Sequence, residues 1–199
     1  MRNMLWRQAK MFFLLLLGYL LQVCVMPYLK VGAITPNMLV ACIAVVTVGY
    51  GRLRALWAGA LYGILLETFL ASVPMFNLML YPITAIFCSV PCADKSESRL
   101  QYERSIGKAG RNISPLLRTL ICAVLNSVLI EIVSLVYAYL DGAVLSLTAV
   151  GRSLTCVLAT AVLTALIMIP ARRFMGFRKP TPESSPVVRY GKPLKLEDN

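Results

Sequence analysis

The stretch LRALWAGALYGILLETFLASV, residues 53–73, decides the predicted fold. It is long enough to cross a bilayer, because a helix needs about 20 largely apolar residues to span the hydrocarbon. Within it, every fourth residue is small or acidic, in the order Ala55, Gly59, Gly63, Glu67 and Ala71. Residues at this spacing share one helix face. Small faces let two helix backbones approach closely in lipid, so we expect Gly59 and Gly63 to pack against a neighbouring helix.

Glu67 is the one acid in this face, and Glu131 is the one acid in a later apolar stretch. A charged group near the bilayer centre costs roughly 2.5 to 3.5 kcal/mol on insertion scales. We therefore expect both acids to face protein or water, or to be protonated. The predicted topology places both in the same half of the membrane, with no embedded basic residue to pair with them. Two carboxyl groups that share a proton could act as a proton relay. A relay needs a proton pathway on both sides, and the sequence does not indicate one.

The composition is that of an integral membrane protein. Of the 199 residues, 58% are hydrophobic and 15% are charged, the mean hydropathy is +0.72, and histidine is absent. Soluble domains are about 45 to 50% apolar and about 25% charged. The net charge of +11 does not indicate nucleic acid, because the basic residues lie in short connections and in the two tails.

Apolar stretches predict an all-α fold with about six transmembrane helices. Their predicted ranges are 11–28, 36–50, 53–73, 75–90, 116–140, and from 147 or 153 to 169. We expect a basic cytoplasmic N-terminus at 1–10, a transmembrane domain at 11–170 with a basic cytoplasmic loop at 93–115, and a disordered basic tail at 171–199. The second helix is short for a full span, so we expect it to be tilted little, to begin inside the interface, or to be lined by protein at one end.

Prolines and glycines mark the predicted helix boundaries. Pro36 starts the second helix well, because its fixed φ suits the first turn. Gly51 and Asp141-Gly142 are expected in tight turns, and Pro82 is expected to kink the fourth helix. Pro170 is expected to stop the sixth helix.

The basic residues predict the orientation. With the N-terminus inside, all but two of the 20 Lys and Arg residues fall on the inner side, the exceptions being Lys30 and Arg152. Both termini are then cytoplasmic. The basic loop and tail would lie against anionic lipid, each cation adding about 1 kcal/mol of attraction.

No catalytic, cofactor-binding or metal-binding residues are predicted. The sequence has no Ser/His/Asp set, phosphate loop or nucleotide fingerprint. Its six cysteines fall in or beside apolar segments, where we expect them to act as small packing residues. Cys88 and Cys92 share a helix face, but no histidine exists to complete a metal site. The sequence therefore argues against an enzyme.

Three segments carry a resemblance to a known family. They are Pro36-Asn37 before the second helix, GALYGILLE at 59–67, and NLMLY at 77–81. The chain resembles MreD, the bacterial rod shape-determining membrane protein. In that family an Arg often precedes the Pro where this chain has Thr35, an Asp usually stands at Glu67, and a Gly is common at Met75.

The resemblance implies a non-enzymatic component of the bacterial cell-elongation machinery in the cytoplasmic (inner) membrane. It implies binding to MreC and, indirectly, to MreB, RodA and a penicillin-binding transpeptidase, and a fold similar to the substrate-binding subunits of energy-coupling-factor transporters. Association with a second copy is an alternative. The candidate residues for helix packing or partner contact are Pro36, Asn37, Gly59, Gly63, Glu67, Asn77, Tyr81 and Glu131.

That fold similarity also suggests the main alternative function, which is a substrate-binding membrane subunit of a small-molecule (vitamin) transporter. Such subunits usually carry an A-x-x-x-A pattern on the first helix, whereas the first helix here has only Gly18 as a small residue. A third class, a membrane enzyme of lipid metabolism, would need an acidic or histidine cluster at the cytoplasmic face. The loop at 93–115 does not provide a clear one.

Overall fold

The computed structural model describes residues 2–29, 34–70, 75–92, 114–143 and 146–176. Six α-helices account for most of these ranges. Their bounds are Arg2–Cys24 (α1, followed by the 3₁₀ turn Met26–Tyr28), Met38–Tyr50 (α2), Arg52–Leu70 (α3), Phe76–Cys92 (α4), Pro115–Leu140 (α5) and Leu147–Phe174 (α6). The predicted all-α class is confirmed for this part of the chain. The predicted loop and disordered tail lie largely outside the described residues.

Three helical stretches in the described ranges are long and apolar enough to cross a membrane. They are Gln8–Tyr28, Pro115–Leu140 and Leu147–Phe174. Large apolar side chains on them are exposed, such as Val136 at 52% and Leu166 at 69%. Exposed apolar surface of this extent suits contact with lipid. The helices are those expected of a membrane protein, while the count of six spans stays a prediction.

The helix at the centre of the bundle is α2. Residues 38–48, which are 11 of its 13 residues, are buried, and α2 contacts all five other helices. At 1.5 Å per residue it is about 20 Å long, which is shorter than the hydrocarbon thickness of about 30 Å. A helix that is apolar on every side is typically buried. Protein therefore encloses this short helix along its length, and α2, rather than the helix that contains Gly59, contacts all the others.

Two glycines make the sharp turns between helices. Gly51 joins α2 to α3 with φ +89°, and Gly142 follows α5 with φ +89°. Glycine adopts such positive φ angles without steric cost. Both turns lie where the sequence places them. Arg52 begins α3, and its Nη2 atom donates to the Val90 carbonyl near the end of α4 at 3.3 Å.

One predicted boundary at the basic end of the bundle is wrong. We use "basic end" for the end that carries Lys10, Arg52 and Arg173. Helix α1 begins at Arg2, ahead of the predicted span at 11–28, because Arg and Lys are good helix formers and extend the helix beyond its apolar part. Helix α6 continues through Pro170 to Phe174, because a proline removes only one backbone hydrogen bond from this 28-residue helix.

The six cysteines are free thiols, and four of them are buried. Cys88 and Cys92 of α4 lie near Cys122 of α5, whose Sγ atom is 3.9 Å from the Cys88 carbonyl oxygen. In the described ranges, no group of three His, Cys, Asp or Glu residues is arranged to hold a metal ion. These thiols fill the contact between α4 and α5.

Candidate functional site

The small-residue face of α3 packs against α4 of the same chain. A methyl group on Gly59 would lie 2.7 Å from the Tyr81 carbonyl oxygen and 2.8 Å from Pro82 Cα. A methyl group on Gly63 would lie 2.8 Å from the Asn77 carbonyl oxygen. Because these neighbours are backbone atoms, no side chain fits at either glycine. We call this contact the glycine seam. The face at Gly59 and Gly63 is thus covered by α4 and is not open to a second copy.

Pro82 contributes to the close approach in the glycine seam. A proline cannot donate to the carbonyl four residues earlier, which in α4 is that of Leu78. The Leu78 carbonyl lies beside Gly63, where an added methyl group would be 3.3 Å from its oxygen. Cα–H groups form weak contacts with carbonyl oxygens at helix interfaces. Pro82 thus faces Gly59 directly, and the Leu78 carbonyl, to which Pro82 cannot donate, lies beside Gly63.

Glu67 lies at the far end of the glycine seam and is half-buried. Its Oε1 atom accepts a hydrogen bond from the Met75 backbone N–H, just before α4 begins. Its Oε2 atom has no hydrogen-bond partner among the described residues. Met75 has φ +60°, the left-handed region that glycine adopts freely and other residues seldom do. The carboxyl group thus binds the backbone at a residue of unusual conformation directly before α4.

Asn37 caps the start of α2 and links it to two other helices. Its Oδ1 atom accepts from the backbone N–H groups of Leu39 at 3.1 Å and Val40 at 3.3 Å. Its Nδ2 atom donates to the Tyr81 hydroxyl of α4 at 3.0 Å, and its backbone N–H donates to Thr160 Oγ1 of α6 at 3.0 Å. One side chain and one N–H therefore join α2 to α4 and α6.

Gln22 of α1 completes this set of contacts, which we call the polar junction (Gln22, Asn37, Tyr81, Thr160). Its Oε1 atom accepts from the Met38 backbone N–H at 2.6 Å. An unsatisfied backbone group costs several kcal/mol in hydrocarbon. Because side chains from three helices satisfy the polar groups at the start of α2, this helix can begin inside the bundle.

Pro36 adjoins the polar junction, and Asn77 lies in the glycine seam. Pro36 is buried and precedes the capping residue, so it does not occupy the first position of α2 as expected. The reason is that Asn37 takes the capping position, for which asparagine is among the best residues. Asn77 lies in the first turn of α4, where its carbonyl faces Gly63.

Glu131 lies in a different place, at the end of the bundle opposite the basic end. It is half-buried and lines a cavity of about 320 Å³ between α5 and α6, together with Thr35, Arg152 and Cys156. Helices α3 and α5 share no extended interface in the described ranges, so Glu67 and Glu131 are not brought together. Arg152, an exposed residue in the second turn of α6, lines the same cavity.

Sequence reasoning missed the contact at Gly18 of α1. A methyl group there would lie 2.6 Å from Cys42 Sγ and 2.7 Å from the Tyr62 hydroxyl oxygen. Tyr62 of α3 is fully buried and reaches across the bundle to α1. Gly18 was the signal that could have revealed it, because a lone glycine in a helix of leucines indicates a close approach.

The structure gathers five of the eight candidate residues into one connected region. Asn37 binds Tyr81, the Tyr81 carbonyl faces Gly59, and the Asn77 carbonyl faces Gly63. Pro36 adjoins this region, Glu67 lies at its far end, and Glu131 lies apart from it. Comparison of the chain with protein-family models, curated proteins and solved structures gives no match.

Proposed function

We propose that this protein is a non-enzymatic scaffold of the bacterial cell-elongation machinery, of the MreD type. It lies in the cytoplasmic membrane with six spans and with its basic end and both termini in the cytoplasm. It binds MreC and, through MreC, acts with MreB, RodA and a penicillin-binding transpeptidase to control rod shape and peptidoglycan synthesis.

The observation that supports this proposal is the convergence of the three segments that carry the resemblance. Pro36-Asn37, residues 59–67 and residues 77–81 are separate in the sequence, yet they meet through the polar junction and the glycine seam. Their contacts hold helices together, and the groups involved are backbone carbonyls, glycines, an amide and a phenol. A region built of such contacts suits a protein whose task is to hold partners in place.

Co-purification tests the proposal. The full chain with an affinity tag is expressed with MreC from the same organism, extracted from membranes in mild detergent and purified. We expect MreC to be retained in a fixed ratio. We also expect loss of rod shape when the chain is depleted. A folded chain that retains no MreC, together with normal shape after depletion, would refute the proposal.

A second candidate function is supported by the cavity at Glu131. Its volume of about 320 Å³ and a lining that includes both an acid and a base suit a small polar molecule, as a transporter's substrate-binding subunit would need. The test is mass spectrometry of small molecules released from the purified chain, with Glu131→Gln and Arg152→Met as variants. A compound that the wild type releases and both variants lack, together with co-purification of an ATPase pair, would favour this function over the scaffold.

A further inference from the structure

A second cavity lies between α1 and α6 with α2 as its floor. It has a volume of about 320 Å³, and its lining is almost wholly apolar, with Leu17 and Leu21 from α1, Cys42 from α2 and Ile167 from α6. Helices α1 and α6 share no extended interface in the described ranges. We call this opening the α1–α6 groove. A groove between two helices that do not pack together needs something apolar to fill it.

The groove has the length of a lipid tail rather than of a helix. Its α1 wall runs from Phe13 to Leu21, a rise of about 12 Å at 1.5 Å per residue. One leaflet contributes about 15 Å of the hydrocarbon, whereas a membrane-spanning partner helix would need about 30 Å of contact. The groove therefore matches one acyl chain that enters from one leaflet.

Positive charge and aromatic rings lie at the basic end of the groove. Phe13 and Phe174 line this end, with their ring centroids 5.8 Å apart. Lys10 Nζ lies 6.0 Å from the centroid of the Phe174 ring and 5.7 Å from that of Trp6. Arg173 is exposed in the last turn of α6. Cations and aromatic rings of this kind are enriched where a membrane meets water.

We propose that the α1–α6 groove binds one anionic phospholipid. One acyl chain lies along Leu17 and Ile167, and Lys10 and Arg173 bind the phosphate group. This inference rests on the membrane placement in the proposed function but not on MreC binding, so either can fail without the other.

Native mass spectrometry of the full-length protein tests this site. The chain is delipidated in detergent and titrated with phosphatidylglycerol or with phosphatidylcholine of the same chain lengths. We expect stoichiometric binding of phosphatidylglycerol and weaker binding of phosphatidylcholine. Lys10→Met and Arg173→Met should each reduce the preference about five-fold, because each cation near an anionic lipid contributes about that factor. Equal binding of the two lipids by the wild type would overturn the proposal.

Leu17→Trp tests the acyl-chain part of the site by filling the groove. The matched control is Leu158→Trp on α6, where the native side chain is 59% exposed and lies outside the groove. We expect the first variant to lose both lipids and the second to bind as the wild type does. Equal binding by the two variants would contradict the proposal. If Leu17→Trp does not fold, a photo-crosslinking residue at Leu17 replaces it. A lipid adduct supports the proposal, and an adduct with a second copy or with MreC overturns it.

Discussion

The glycine seam and the polar junction join helices in opposite ways. In the seam, α3 and α4 touch through backbone atoms because Gly59 and Gly63 have no side chains. In the junction, side chains from α1, α4 and α6 reach the start of α2 and satisfy its polar groups. The seam joins two helices that are neighbours in sequence, whereas the Asn37–Thr160 bond joins residues 123 positions apart. The seam is thus a contact between neighbours in sequence, whereas the junction links helices that are far apart in sequence.

Breaking the seam should have the largest effect. Replacement of Gly59 and Gly63 together by Leu forces α3 away from α4, because each side chain would overlap backbone atoms of α4. Overpacking at one site typically costs about 1 to 3 kcal/mol, and two adjacent sites should cost more. We expect the double variant to unfold at a much lower temperature in detergent and to lose MreC.

Gly151→Leu is the matched control, because nothing lies within 4 Å of the position its Cβ would occupy. It should leave the unfolding temperature nearly unchanged. If the control and the double variant behave alike, the seam is not a close-packed interface.

Breaking the junction should have a smaller effect. Asn37→Ala removes the cap of α2 and the bond to Tyr81, and we expect a loss of about 1 to 3 kcal/mol. Ser146→Ala removes an exposed cap, whose Oγ atom accepts from Ala149 at 3.2 Å, and should cost less. A double-mutant cycle of Asn37→Ala with Tyr81→Phe in detergent measures the coupling. Simple additivity of the two changes would show that the amide and the hydroxyl do not interact.

Substitutions of Glu67 test whether its carboxyl group acts as a hydrogen-bond acceptor or as a charge. Glu67→Gln keeps an oxygen that can accept from the Met75 N–H, so we expect stability and MreC binding to change little. Glu67→Lys removes the acceptor and places a cation at a half-buried position, and we expect a loss of about 1 kcal/mol or more. Thermal unfolding and co-purification measure both variants. Equal loss in both would instead favour a titrating role for the carboxyl group.

Asn126 is a buried polar residue whose replacement should change stability less than the replacement of Asn37. It is fully buried in α5, and neither polar atom of its side chain has a hydrogen-bond partner in the described ranges. Replacement of an unsatisfied polar group by an apolar one of similar size can be neutral or stabilising. We expect Asn126→Leu to shift stability by less than about 1 kcal/mol, in contrast to Asn37→Ala. A large loss on thermal unfolding would mean that Asn126 makes contacts like those of the junction.

The sequence predicts those features that depend on local pattern. Apolar stretches predict the all-α class, the spacing of Gly59 and Gly63 predicts close packing, and Gly51 and Asp141-Gly142 predict turns. Each of these follows from residues within one helix or one turn. The identity of the neighbour, α4 of the same chain rather than a partner's helix, does not follow from that spacing.

Patterns within one helix or one turn do not predict the polar junction or the central position of α2. Thr160 and Gln22 lie in apolar helices, and nothing in their own surroundings indicates Asn37 or Met38 as a partner. Lipid tails and a protein interior are equally apolar. The sequence of an apolar helix therefore does not show whether lipid or protein surrounds it. The length of α2 is the better indicator, because a helix too short to span the hydrocarbon needs protein around it.

The Asn37–Thr160 hydrogen bond also sets an order for biosynthesis. The backbone N–H of Asn37 leaves the ribosome long before Thr160 does, since 123 residues separate the two. During that interval the start of α2 lacks its partner from α6. Among the described helices, α6 is therefore the last to be made and the one that completes the core, and a chain truncated before α6 should be recognised by membrane quality-control proteases even though it contains α1 to α5.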